Sequence, residues 1–432
     1  MTSILFFTAI LRALSFDIMT IKTSLPSTHK IAAFVAISAG IAVPLRASGV
    51  APEQATMGLA LLGALVLLFR SVDVRTVLAR TLVKTQAKVI TTVFLAWAIT
   101  VFFSFDPLGS LEIGGRTGVF ILAATMIWAT LSTYKNEQKL LWKALIVAAL
   151  TMALLATLSL FGVPMIASIL TAQNHEGAAP TTNVFKAFGA TVVCLIPAVA
   201  WAGRKLDGSW RWAGYAFAPL ALAVMVLTLN RSALAGFLAM AVTGALLLAF
   251  AKRRHVKMLL GAGIAAVLGI IAWVRTKKLG ELPIEGTYLP TWLVDPHRQH
   301  IWKFSFERFL EHPWLGNGID QLNRLPGAKM PVPGLAQSAA LVPSHPHNWG
   351  LEILAETGLV GFVPVLVALG FVAWCLLKSY LANDDEADLA LLVLMAGFWG
   401  SALFNFSIWA AWWQLTFLIL FAILSAGRSE HA

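Results

Sequence analysis

Three short stretches of this 432-residue chain carry side chains suited to chemistry among residues that are otherwise largely hydrocarbon. His345 and His347 sit in Pro343-Ser344-His345-Pro346-His347-Asn348, just before the glycine-punctuated run Leu354-Ala355-Glu356-Thr357-Gly358-Leu359-Val360-Gly361. Arg231 lies in the turn Thr228-Leu229-Asn230-Arg231-Ser232, between two apolar stretches, where it either reaches lipid headgroups or faces an internal cavity. Arg298 lies in Asp295-Pro296-His297-Arg298-Gln299-His300-Ile301-Trp302. A guanidinium presents a rigid fork of donors that matches phosphate oxygens and stays charged at any working pH, so two of them can hold a diphosphate. An imidazole can take the proton of an attacking hydroxyl. The combination suits group transfer from a lipid-linked phosphate or diphosphate. A zinc site built from His297 with His300, or His345 with His347, is not expected: no His-Glu-x-x-His motif or cysteine pair accompanies them, and Pro346 restricts the second pair.

The elements that must position these residues are membrane helices. Hydrophobic residues make up 58% of the chain and charged residues only 12%, which excludes an ordinary soluble domain. A span needs about 20 mostly apolar residues. Twelve candidates lie near 31–46, 55–70, 89–105, 116–132, 139–162, 184–202, 212–230, 232–251, 256–273, 360–378, 387–404 and 405–426. The fold class is therefore an all-α polytopic membrane protein. Its organisation is expected as spans one to nine over 1–273, a large partly helical loop with short interfacial helices over 274–359, and spans ten to twelve with a tail over 360–432. Residues 1–16 are expected to form an interfacial helix. The net charge of +11 is a topology signal, and no nucleic acid is expected to bind. Lysines and arginines cluster after spans two, four, six and eight, which by the positive-inside rule places both termini in the cytoplasm and the large loop outside. Cys194 and Cys375 fall inside spans and suggest neither a disulfide nor a metal site.

The large loop holds five of the nine histidines. Asp295 as N-cap, Pro296 as first helical residue and Pro313 beyond the end delimit a helix. Ile301, Trp302, Phe306, Phe309 and Leu310 are expected to form its apolar face, with Arg298 one turn before Trp302. Further on, Asn348 begins a second helical register that places His347 in a first turn at the outer interface, and Gly358 is expected as its left-handed terminator. Arg231, Arg298 and His347 would then share one side of the membrane. Arg116, Glu176 and Lys186 lie on or near the same face and could line a substrate path, though loop and anchor roles suit them better. Trp302 and Trp349 are candidates for stacking on a sugar.

These features resemble the O-antigen ligase family. The resemblance rests on Asn230-Arg231-Ser232, on the helix from Arg298 through Trp302, on His312-Pro313-Trp314-Leu315-Gly316-Asn317-Gly318, and on His347-Asn348 followed by the run to Gly361. The family's arginine turn more often has Ser-Arg-Gly. The resemblance implies the C-type membrane glycosyltransferase fold and a metal-independent, inverting transfer of a glycan from undecaprenyl pyrophosphate to a sugar hydroxyl of the lipid A core. It implies His347 as the residue that activates the acceptor and Arg231 and Arg298 as the pyrophosphate-binding residues, with no cofactor; His345, Asn348 and Trp302, with His312, are expected to support the site or shape its backbone. The expected partners are the lipid-linked O-antigen donor, the lipid A core acceptor and the bilayer. The expected location is the Gram-negative inner membrane with the site on the periplasmic side. Oligomeric state is left open. The alternatives are an O-antigen polymerase or a protein O-oligosaccharyltransferase of the same superfamily and, from another class, a twelve-span transporter, which would place its polar residues nearer the midplane.

Overall fold

A computed structural model describes residues 27–171, 182–252, 287–291, 294–332 and 340–428. The expected helix over 1–16, the ninth span over 256–273 and Glu176 lie outside the described residues. Those described are helical, with one isolated antiparallel bridge between Pro331 and Ala340. In chain order the helices are α1 (Thr28–Ala42), α2 (Val50–Arg70), α3 (Val72–Leu82), α4 (Thr85–Val101), α5 (Pro107–Thr133), α6 (Gln138–Leu160) and α7 (Pro164–Thr171). They continue as α8 (Lys186–Leu206), α9 (Gly208–Leu227), α10 (Arg231–Lys252), α11 (Pro296–Glu311), α12 (Trp349–Asn383), α13 (Glu386–Ala402) and α14 (Ala411–Ala426). Eleven of the twelve expected spans coincide with one of these helices. Seven helices are long and apolar enough to cross a membrane, or eight when α3 and α4, bent by 62° at a short break, count as one; α1 and α14 are shorter apolar helices. Large apolar side chains such as Phe69, Leu95, Phe102 and Val367 face outward, as a bilayer rather than water requires.

Cross-bundle contacts sort the helix ends into two sets. At one end His29 pairs with Glu137, Arg204 with Glu386 and Arg428 with Asp388. At the other, Arg324 pairs with Asp106, Arg116 donates to the Trp409 carbonyl, and Ser407 bonds Glu352. The turn at 383–386 falls in the first set, where Asp385 caps α13. Every candidate site residue falls in the second. Helices approach closely where side chains are smallest: a Cβ at Gly236 of α10 would strike the Gly397 carbonyl and Ser401 of α13. That contact locks the helix beginning with Arg231 to the one that leads into residues 403–410.

Three local expectations need correcting. The last span begins at Ala411, not 405, because the polar groups of 405–409 are held by neighbours and not by an α-helical ladder. On α11 the buried face is Pro296, Gln299, Ile301, Phe304 and Ser305, while Phe306 and Leu310 are exposed. Gly358 has positive φ but an extended ψ (58°, −168°), so it is not a left-handed terminator, and α12 resumes immediately after it. The cause is the segment 313–318, which crosses α12 here. Leu359 and Val360 donate to the carbonyls of Pro313 and Trp314 at 2.9 and 3.0 Å, and Asn317 and Gly318 donate to those of Ala355 and Glu356 at 3.1 and 2.7 Å. A Cβ on Gly358, or on Gly316 at φ 68°, would overlap the opposing backbone.

Gly358→Ala therefore combines backbone strain with a clash, and should cost at least ~3 kcal/mol. The detergent-solubilised melting midpoint should fall measurably, whereas Gly370→Ala, on the same helix with open space around it, should leave it unchanged or raise it.

Candidate functional site

Arg231 is delivered by a cap. The Asn230 side chain accepts from Ser232 Oγ at 2.6 Å and from Ala233 N at 3.1 Å, which starts α10, and its Nδ2 donates to the Lys186 carbonyl at 2.7 Å, which ties that start to the first residue of α8. One asparagine thus sets both Arg231 and Lys186. Arg298 is the third residue of α11, whose N-cap is Asp295, accepting from His297 N at 3.0 Å. Buried Gln299 holds the incoming chain by accepting from the amides of Tyr288 and Leu289 and donating to the carbonyls of Leu289 and Val294.

The structure brings Arg231, Arg298 and His347 into one electrostatic neighbourhood, together with Lys186. Arg298 and Arg231 repel one another, both repel the Lys186 ammonium, and Arg298 and Lys186 both act on His347. Burial, reinforced by Arg231 and opposed by Asp295, lowers the proton affinity of Arg298, yet a guanidinium remains charged at neutral pH. Positive charge gathered in this way favours an anion nearby.

His347 is held at more points than a capping role would need. It is not in the first turn of α12; it precedes the N-cap, Asn348, whose Oδ1 accepts from Gly350 and Leu351 at 3.0 and 3.1 Å. Its φ is +55°, a left-handed conformation unusual for a side-chain-bearing residue, and its amide donates to His345 Nδ1 at 3.2 Å. Its own Nδ1 lies 3.0 Å from the Asn405 carbonyl. A carbonyl can only accept, so Nδ1 carries the hydrogen and Nε2 keeps its lone pair. His345, ring centroid 4.0 Å away, fixes the backbone beneath. Trp302 Nε1 donates to the Pro346 carbonyl at 3.1 Å, Asn323 to that of Ser344 at 2.7 Å, and Lys329 to those of Val342 and Pro343. Burial is the main reason both imidazoles lose proton affinity, His347 to about 4 and His345 to about 3, with Arg298 contributing to each. An imidazole bonded and buried this way is neutral at pH 7.

Other expectations resolve differently. Trp302 holds the histidine segment, and Trp349 packs on Trp399 and Phe362 instead of facing a sugar. Arg116 anchors the Trp409 carbonyl. His297 Nε2 is bonded to the Ala340 carbonyl at 2.8 Å, and His312 terminates α11. Sequence reasoning missed the Asn405 carbonyl and the buried carboxylates Glu352 and Glu356. Two acids four residues apart in an apolar helix were the available signal. Their oxygens and one of Asp320 lie within 4.8 Å of one another, the one metal-like grouping among the described residues. Both glutamates are met by protein donors, and no histidine joins them.

Residues 216–366 match the family model described as O-antigen ligase, a stretch that contains Arg231, Arg298 and His347. A Rickettsia conorii protein named as a polysaccharide ligase is 24% identical over 343 residues, 76% of each chain. One of the same description from Rickettsia prowazekii is 25% identical over 149 residues, 33% of this chain and 35% of its own.

The His347 value of about 4 lies below the ordinary 6.5, so between those values the unfolded chain binds a proton that the folded protein does not. Stability from this group is complete above 6.5 and is lost as pH falls toward 4. For the same reason, if His347 acts as a base, the acidic limb of kcat/KM should be centred well below 6.5, measurable as turnover across pH in detergent or nanodiscs.

Proposed function

We propose that this chain, whose residues 216–366 match the O-antigen ligase family model, has a ligase-type function in polysaccharide assembly and transfers a glycan from a polyprenyl-pyrophosphate donor, undecaprenyl pyrophosphate, to a sugar hydroxyl of the lipid A core at the periplasmic face of the inner membrane. The single observation that carries this reading is Arg298 acting on an imidazole whose tautomer leaves Nε2 free, with Arg231 acting in turn on Arg298. In the reaction, His347 Nε2 takes the proton of the acceptor hydroxyl as its oxygen attacks the anomeric carbon. The bond from that carbon to the phosphate oxygen breaks on the opposite side and inverts the centre, and the electron pair leaves on the lipid diphosphate. Arg231 and Arg298 hold that diphosphate and meet its growing charge. No metal is needed to neutralise it, since guanidinium groups supply the charge.

Binding and catalysis are coupled in this arrangement. Burial first, and then repulsion from Arg298 and Lys186, suppresses protonation of His347. A bound diphosphate cancels that repulsion and makes the imidazole a stronger base only when the donor is in place.

Purified protein in nanodiscs, given a polyprenyl-pyrophosphate glycan and a lipid A core acceptor in the presence of a chelator, should form the linked product. Elongated donor glycan in place of linked core would identify a polymerase, and glycosylated protein an oligosaccharyltransferase. Solute uptake without any transfer would overturn the reading in favour of a transporter. His347→Gln should lower kcat by ~10²–10⁴ with little change in donor KM. Arg231→Lys and Arg298→Lys should raise donor KM and also lower kcat, since a point charge does not replace a bidentate fork.

A further inference from the structure

Two fully buried carboxylates, Glu352 and Glu356, lie one turn apart on the same face of α12, and the reaction above gives neither a step. A charge removed from water is costly unless donors surround it. Here the donors are specific. Glu352 Oε1 accepts from Ser407 Oγ at 2.5 Å and Oε2 from Ile408 N at 2.9 Å. Glu356 Oε2 accepts from Trp409 Nε1 at 2.5 Å and from Asp320 N at 2.8 Å, and Oε1 from Leu322 N at 3.3 Å. Three of these five donors belong to consecutive residues, 407 to 409, in the turn that joins α13 to α14. That turn also supplies the Asn405 carbonyl, the acceptor for His347 Nδ1–H.

We propose that Glu352 is a positioning residue for the transfer: it pins the turn at 403–410 to the first turns of α12, so that the Asn405 carbonyl meets His347 Nδ1–H and Nε2 stays directed at the acceptor. The proposal rests on His347 being the base of the reading above. Its logic lies in a shared reference. Asn348 ties the residue after His347 to the start of α12 through Gly350 and Leu351, and Glu352, in the same first turn, ties Ser407 and Ile408 to that same stretch of helix. Both partners of the His347–Asn405 bond are therefore measured from one rigid element. Without the carboxylate, the nearest lost anchor, Ser407, is only two positions along the chain from the acceptor carbonyl, and a displacement of about half an ångström takes a 3.0 Å bond out of its useful range. Glu356 secures the same turn further along, through the Trp409 indole, and shares its other oxygen with the segment at 320–322. Arg116 completes the hold from α5 by donating to the Trp409 carbonyl.

The test pairs Glu352→Ala with Glu352→Gln and Ser407→Ala. Glu352→Ala should lower kcat by ~100-fold while donor KM stays within about twofold, because no pyrophosphate contact is touched. Glu352→Gln can accept from Ile408 N and donate to Ser407 Oγ, and should restore most of the loss. Ser407→Ala keeps the Ile408 bond and should give an intermediate rate; it also decides the matter if Glu352→Ala does not fold. Wild-type kcat in both Glu352→Ala and Ser407→Ala, or a rise in KM matching the fall in kcat, would overturn the proposal. A second readout does not depend on transfer. The rate at which diethyl pyrocarbonate modifies His347, followed by mass spectrometry across pH, should stay level from 6.5 downward until pH nears 4 in the wild type and fall with a midpoint nearer 6.5 in Glu352→Ala as the loosened imidazole gains water. Identical profiles would overturn the clamp even if the wild type proved to transfer no glycan, and that absence of transfer would overturn the functional reading separately.

Discussion

Lysine and arginine side chains held close together without an equal number of carboxylates push one another apart, and only a scaffold that cannot relax will keep them there. Lys186, Arg231 and Arg298 come from the starts of three different helices, with Asp295 the carboxylate whose charge acts on both Lys186 and Arg298. The restraints around them answer that repulsion. Asn230 caps α10 and grips the start of α8, Asp295 and Gln299 bind the start of α11, and the glycine contact between α10 and α13 allows no sliding. Such a concentration of positive charge favours the approach of an anion.

The histidine is governed by the same rigidity in a different form. A left-handed residue between a proline and a helix cap has few ways to move, and each neighbouring carbonyl from 342 to 344, and that of 346, is bonded by a side chain from elsewhere in the loop. The imidazole is thereby kept neutral, with its hydrogen on Nδ1. The crossing of 313–318 over the break at Gly358 serves the same end. It locks the loop to α12 by four backbone hydrogen bonds at the one point where two main chains can touch.

The family match covers 216–366. The matched stretch begins within α9 and ends just past the break in α12, so it holds the two arginines, the histidine and the crossing. The remaining helices supply lipid-facing surface and the turn at 403–410. Their packing tolerates many apolar sequences, because a membrane helix needs suitable size and hydrophobicity more than particular residues.

Much of this protein was settled by its sequence alone. Apolar runs near membrane length fixed the all-helical class, basic residues after alternate spans set two faces, and the Asp295-Pro296 and Asn348 signals marked helix starts that the structure keeps. Arg231, Arg298 and His347 were visible as isolated polar residues in the wrong surroundings. Tertiary structure decided what no local pattern encodes. The partner of His347 Nδ1 is a backbone carbonyl 58 residues away, in a stretch whose composition suits a span, and a carbonyl has no residue identity to notice. Gly358 announces a backbone irregularity, but its conformation depends on which segment crosses it. The donors that neutralise Glu352 and Glu356 belong to elements 34 to 56 residues distant. Periodicity and capping act within a few residues, whereas buried charge must be matched by whichever groups the folded chain brings to it.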